Sequence, residues 1–131
     1  MDENAAYKAG LAVRKKVLGE EHVNRSINNA DDFTRPLQQF LVENAWGAVW
    51  TREGLSLKER SMLNLAMLTA LNRPHELKLH IRGAINNGLT KEQIREIFLQ
   101  TAVYCGAPAA IDSFRSAQQV FAEIEAEGSK S

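Results

Sequence analysis

From Ser56 to Gly88 the chain reads as two helices joined by a break at Asn72-Arg73-Pro74, and this stretch constrains the fold more than any other. Ser56 and Glu59 have the spacing of a capping box, with serine at the cap and an acid three residues on. The helix they open carries Met62, Leu63, Leu65, Ala66, Met67, Leu68, Ala70 and Leu71, apolar nearly all round. Such a helix is expected to be buried on most sides, either as the centre of the domain or in a subunit interface. Asn72 is suited to end it, and Pro74 to begin the next helix, where a missing N–H costs nothing. That second helix is expected to stop at Asn86-Asn87-Gly88 in a left-handed turn.

The flanking segments carry the same helical spacing. Residues 5–18 form a modestly amphipathic helix that Gly19 ends, and Glu20 to Ile27 a short second one. Asp31 or Asp32 caps a helix running to about Trp46, with Phe33, Leu37, Phe40 and Leu41 on one face and Pro36 in its first turn. Thr90 and Gln93 make a second capping box, before Ile94, Ile97, Phe98 and Thr101. Residues 104–108 break that helix, and a last one carries Ala110, Phe114, Ala117 and Phe121 before a frayed tail from Gly128. No stretch alternates with the strict two-residue period of a half-buried strand. The expected fold is all-α, a single-domain bundle of about six helices over residues 1–131.

Charge and cysteine content narrow the function. Sixteen basic and 16 acidic residues balance to zero formal charge, without the basic excess of a nucleic-acid binder. Cys105 is the only cysteine, which rules out a disulfide, a CxxC pair or a thiolate zinc cluster within one chain, and it is expected to be a small buried residue. The N-terminus lacks the basic start and apolar core of a signal peptide, and Met62 to Leu71 is too short to span a bilayer. No membrane partner and a cytoplasmic location are expected.

The densest group of reactive side chains lies at the break: Arg73, His75, Glu76, Lys78 and His80. Residues four apart share a helix face, so Glu76 and His80 are neighbours, with Leu77, Gly83 and Ala84 flanking the histidine. A carboxylate at that distance is expected to raise the imidazole's pKa towards neutrality, as suits a proton donor. The alternative is a histidine packed in a helix interface and held by Glu76 for structural reasons. Arg73 precedes a helix start whose N–H groups favour an anion, although a surface arginine is the commoner outcome. Trp46 and Trp50 either wall a pocket or pack the core, packing being the commoner role. No metal-binding His/Cys set, glycine-rich phosphate loop or nucleophile elbow appears.

Taken in order, Trp46-Gly47-Ala48-Val49-Trp50-Thr51-Arg52, residues 60–68, His75-Glu76-Leu77-Lys78-Leu79-His80, Asn86-Asn87-Gly88 and residues 104–110 resemble the carboxymuconolactone decarboxylase family. The wider family includes alkylhydroperoxidase D-type enzymes, whose motif is CxxCxxxH with an upstream glutamate. Aligned on His80, that motif puts Arg73 and Glu76 where the cysteines stand and Ser61 where the glutamate stands, so the resemblance argues against thiol peroxidase chemistry. It implies an alkylhydroperoxidase D-like helical fold and a ring-like homo-oligomer, commonly a hexamer. It also implies decarboxylation of γ-carboxymuconolactone to β-ketoadipate enol-lactone in protocatechuate breakdown, with no cofactor and no metal. On that basis His80 is expected to donate a proton, or a hydrogen bond to the lactone oxyanion, with Glu76 orienting it. Arg73, Arg52 and Arg60 would anchor the carboxylates of a small dicarboxylate lactone, beside Trp46 and Trp50. A homologue acting on another lactone or acid, or a non-catalytic helical binding protein, stays open.

Overall fold

In the computed structural model, which describes residues 2–129, the described residues form seven α-helices and one π-helical segment, with no strand. Backbone contacts divide the chain into two compact units, Met1–Leu57 and Lys58–Ser131.

In the first unit, α1 (Ala5–Leu18) starts where the Asn4 side chain accepts a hydrogen bond from the Tyr7 N–H, 2.9 Å away, and stops at Gly19 with φ 94°. Helix α2 (Glu20–Asn28) follows directly. The Asp31 carboxylate accepts from the Thr34 N–H and hydroxyl and from the Phe33 N–H, which holds it below the usual carboxylate pKa and shapes the turn before α3 (Arg35–Leu41). Helix α3 runs on as a π-helix, Val42–Trp50, four residues beyond the end expected from the sequence. The Arg14 guanidinium ties α1 to the next two helices through Gln38 Oε1 (2.9 Å) and Ser26 Oγ (3.3 Å). Tyr7, Val17, Leu18, Val23, Val42, Trp46 and Trp50 form its buried apolar set. The stripe of Phe33, Leu37, Phe40 and Leu41 differs from expectation: all four are exposed, Phe33 to 91%. The π-helical continuation explains this, since the unit is filled from Val42, Trp46 and Trp50 instead.

In the second unit, α4 (Leu57–Ala70) begins directly after Ser56. It is not buried on most sides in the single chain. Only Ser61, Leu65 and Thr69, four residues apart, are fully covered, while Met62, Leu63, Met67 and Leu71 are exposed. Asn72 takes φ 56°, and the Arg73 and Asn72 N–H groups donate back to the Leu68 and Thr69 carbonyls, a Schellman stop. Helix α5 (Pro74–Asn86) opens on its proline and ends in the same way, with Gly88 at φ 96° and Leu89 donating to Ala84. Helix α6 (Lys91–Cys105) carries the expected capping box of Thr90 and Gln93. A one-residue break at Gly106 leads to α7 (Ala107–Ser129), which keeps Gly128 and Ser129 in the helix; the rest of the expected tail lies outside the described residues.

Leu65, Leu77, Ile81, Leu89, Ile94, Phe98 and Val120 pack into one core, where the Phe98 and Phe114 rings meet edge to face at 5.9 Å. On its rim, Arg82 on α5 grips both Glu127 oxygens and one Glu123 oxygen on α7, at 2.8 to 3.1 Å. The Glu127 hydrogen bonds raise the guanidinium's pKa. The glutamates are largely solvated, so screening limits the clamp. Arg82→Ala is expected to cost about 0.5–1 kcal/mol at low salt and less in molar salt, measured by denaturant unfolding at the two ionic strengths.

Candidate active site

Reversal of the chain at residues 71–73 brings the polar face of α4 against α5. Asn87 Nδ2 donates to Ser61 Oγ at 2.8 Å, and three residues along α4 Asn64 Nδ2 lies 3.3 Å from His80 Nδ1. Ser61 is fully buried, and Asn64 and His80 are partly covered. Deeper in the unit, Thr69 Oγ1 donates to the Leu65 carbonyl and lies 2.8 Å from Ser113 Oγ, so α4 is tied to α7 by buried hydroxyls.

Burial lowers the His80 pKa from its ordinary value of 6.5 to about 4. The expectation of a raised value is therefore overturned. The i,i+4 carboxylate of Glu76 is exposed, and in water such a pair is worth only about 0.3–0.5 kcal/mol. Desolvation of the imidazolium is the larger effect and sets the sign. At neutral pH the ring is neutral, with one nitrogen donating and the other accepting.

Arg73 occupies the N-cap position of α5, exposed, with the first N–H groups of the helix beside it. Arg60 is half-buried on α4 in the same unit. His75 is exposed and Lys78 partly so. Arg52, exposed in the turn after the π-helix, and Trp46 and Trp50 belong to the first unit. The two indoles stack on each other at 4.7 Å between centroids, each only 8% exposed, an arrangement that fills the interior of that unit. Among the described residues, no group of three or more His, Cys, Asp or Glu could hold a metal ion, and no helix is long and apolar enough to cross a membrane.

Cys105 departs from its expected burial: it is exposed at the end of α6. With Met62, Leu63, Met67, Ile97 and Tyr104 it lines an apolar groove of about 420 Å³ between α4 and α6.

Asn64 was not singled out by its residue pattern. An asparagine inside a strongly apolar helix is the available signal, with Ser61 and Asn64 three apart on one face. Its partner lies sixteen residues away, however, and only the turn at residues 71–73 brings the two together.

The described residues are all-α, and they set His80 on α5 beside Asn64 on α4, with Arg73 at the start of the histidine's own helix. Residues 35–119 match the carboxymuconolactone decarboxylase family. The chain is 44% identical over 124 residues to a 4-carboxymuconolactone decarboxylase of Acinetobacter baylyi, covering 95% of this chain and 92% of that protein. It is 45% identical over 122 residues to a nitrosuccinic acid decarboxylase of Metarhizium robertsii, covering 93% of this chain and 85% of that protein. The chain belongs to the carboxymuconolactone decarboxylase family.

Proposed function

We propose that this protein is a carboxy-lyase that removes CO2 from 4-carboxymuconolactone (γ-carboxymuconolactone), giving β-ketoadipate enol-lactone in protocatechuate catabolism. The observation that carries this reading is the near-full-length likeness to the Acinetobacter baylyi enzyme, together with a neutral, partly buried His80 beside Asn64. We take the 131 residues as a single functional domain, since the family match runs across both compact units.

The chemistry follows from the substrate. The departing carboxylate sits on the γ-carbon of an unsaturated lactone, so the electron pair of the broken C–C bond runs through the ring to the lactone carbonyl. The product of that step is a dienolate, which takes one proton, drawn from water, at its α-carbon. Because the substrate supplies its own electron sink, the protein's task is to stabilise the oxyanion and hold the dienolate while water protonates it. A neutral imidazole serves as the hydrogen-bond donor to the oxyanion, which selects the second of the two roles expected for His80. Asn64 takes the orienting part expected of Glu76, and Glu76 keeps only its place one turn before the histidine.

Arg73 is assigned to a substrate carboxylate, its guanidinium acting with the N–H groups at the start of α5. Arg60, on α4 in the same unit, is assigned to the second carboxylate. Trp46 and Trp50, buried against each other, are assigned to the packing of the first unit. The departing carboxylate belongs in the least cationic part of the site, since a tight ion pair there would stabilise the ground state. Arg73→Ala is expected to raise KM about tenfold or more with kcat little changed, read from steady-state kinetics. A fall in kcat alone would remove Arg73 from the binding role.

The second relative favours one alternative. Nitrosuccinic acid is also a dicarboxylic acid whose departing carboxylate leaves electrons beside an acceptor, here a nitro group, and identity to that decarboxylase is 45%. Assaying CO2 release from both acids separates the readings. The lactone is expected to give the higher kcat/KM, and a preference for nitrosuccinate would move the assignment to the second substrate.

The protein is further proposed to act as a cytoplasmic homo-oligomer, a hexamer. Support comes from exposed Met62, Leu63, Met67, Val103 and Tyr104 on α4 and α6, an apolar surface of the kind that subunit contacts cover. Sedimentation analysis tests this, and a monomer at micromolar concentration would exclude it.

A further inference from the structure

We propose that Asn64 is a positioning residue for this reaction: its side-chain amide, donating to His80 Nδ1, fixes the imidazole as the tautomer that carries its proton on Nε2. The inference rests on the role proposed above for His80, while its structural part stands on the Asn64–His80 contact and the burial of the ring.

Asn64 Nδ2 faces His80 Nδ1 at 3.3 Å. An amide nitrogen donates and does not accept, so Nδ1 must be the accepting nitrogen of the ring. A neutral imidazole has one proton, and with Nδ1 accepting, that proton sits on Nε2. The ring is neutral because it is desolvated between the two helices. Asn64 is itself held in register by the Ser61–Asn87 hydrogen bond three residues before it on α4, with Ser61 fully buried. That contact keeps α4 from sliding along α5, so the amide stays opposite the ring. Leu65, next to Asn64, and Leu77 and Ile81, on either side of His80 along α5, lock the two backbones into the common core.

The consequence is directional. A neutral histidine whose Nε2–H is permanently in place can donate to an oxyanion as charge develops, without first gaining a proton from solvent. With the opposite tautomer Nε2 would carry a lone pair, which repels a dienolate oxygen. Asn64 thus decides whether His80 stabilises or opposes the charge in the transition state.

The test uses the full-length, 15N-labelled protein at neutral pH, with the His80 ring signals assigned by comparison with His80→Gln. Long-range imidazole spectra of the wild type are expected to show Nε2 protonated and Nδ1 bare. In Asn64→Asp the carboxylate needs a donor, so Nδ1 is expected to gain a proton, with kcat down about 100-fold and KM changed little. In Asn64→Leu the tautomers should mix and kcat fall less. A wild-type ring protonated on Nδ1, or ring signals unmoved in Asn64→Asp, overturns the inference. The wild-type spectrum needs no variant to fold and no substrate to turn over. A protein inactive on both acids but showing Nε2–H would therefore refute the proposed function while leaving the tautomer assignment standing.

Discussion

Replacing His80 with alanine is expected to lower kcat for lactone decarboxylation by about 100- to 1,000-fold, with a much smaller change in KM. The size follows from what is lost, a single oriented hydrogen bond to an oxyanion in a partly desolvated site. Such a donor acts on charge that exists only in the transition state, so the loss falls on kcat. Near-normal turnover by His80→Ala would remove the histidine from the chemistry. The pH dependence is a second handle. Because burial sets the folded pKa at about 4, below the ordinary 6.5, the working neutral form persists well into acid. kcat is therefore expected to show no His80 limb between pH 6.5 and pH 5. Stability has its own sign. Between pH 6.5 and about 4 the unfolded chain binds a proton at this histidine and the folded chain does not. The His80 contribution to stability is thus lost as pH falls through that window, and it levels off below pH 4.

Gly10→Ala is expected to destabilise the protein by about 3 kcal/mol or more, lowering Tm by roughly 10 °C. A Cβ at Gly10 would lie 2.0 Å from the Val42 carbonyl oxygen and 2.7 Å from the Gly47 N. Both are backbone atoms of the π-helix, so no side-chain rotation relieves the overlap. Gly47 has the reciprocal problem, with its Cβ position 2.5 Å from the Ala6 carbonyl oxygen. The two helices meet backbone to backbone, and α1 would have to lift away, exposing Tyr7 and Val42. Gly54→Ala, where a Cβ meets nothing within 4 Å, is the control and should change stability by less than about 0.5 kcal/mol. Equal melting curves for the two variants would contradict the close packing.

The same pair of glycines marks the limit of what the sequence shows about the fold. The boundaries of α1 and α5 were legible because Gly19, Pro74 and Gly88 each impose a backbone constraint that local chemistry announces. The π-helix at Val42–Trp50 has no residue period of its own, and it moved the apolar stripe from Phe33 to Leu41 out of the interior. Likewise, all-round apolarity in α4 reads as burial, but whether Met62 and Met67 are covered depends on neighbours that the residue pattern does not name.

Helical spacing put His80 on α5 one turn after Glu76, and the position of Arg73 at a helix start was read correctly. The direction of the histidine's shift was not legible. Spacing reports the carboxylate four residues away, whereas the shift is set by burial of the ring. Cys105 shows the same thing: a small residue at the end of an amphipathic helix can face either way, and it faces out.

The most direct measurement is turnover of 4-carboxymuconolactone by the purified protein in D2O, with CO2 quantified and the product followed by NMR. One CO2 per lactone is expected, with a single deuteron added to one face of the α-carbon, as protonation of a bound dienolate requires. Lactone consumed without CO2, or deuterium delivered equally to both faces, would contradict decarboxylation and protonation within this site.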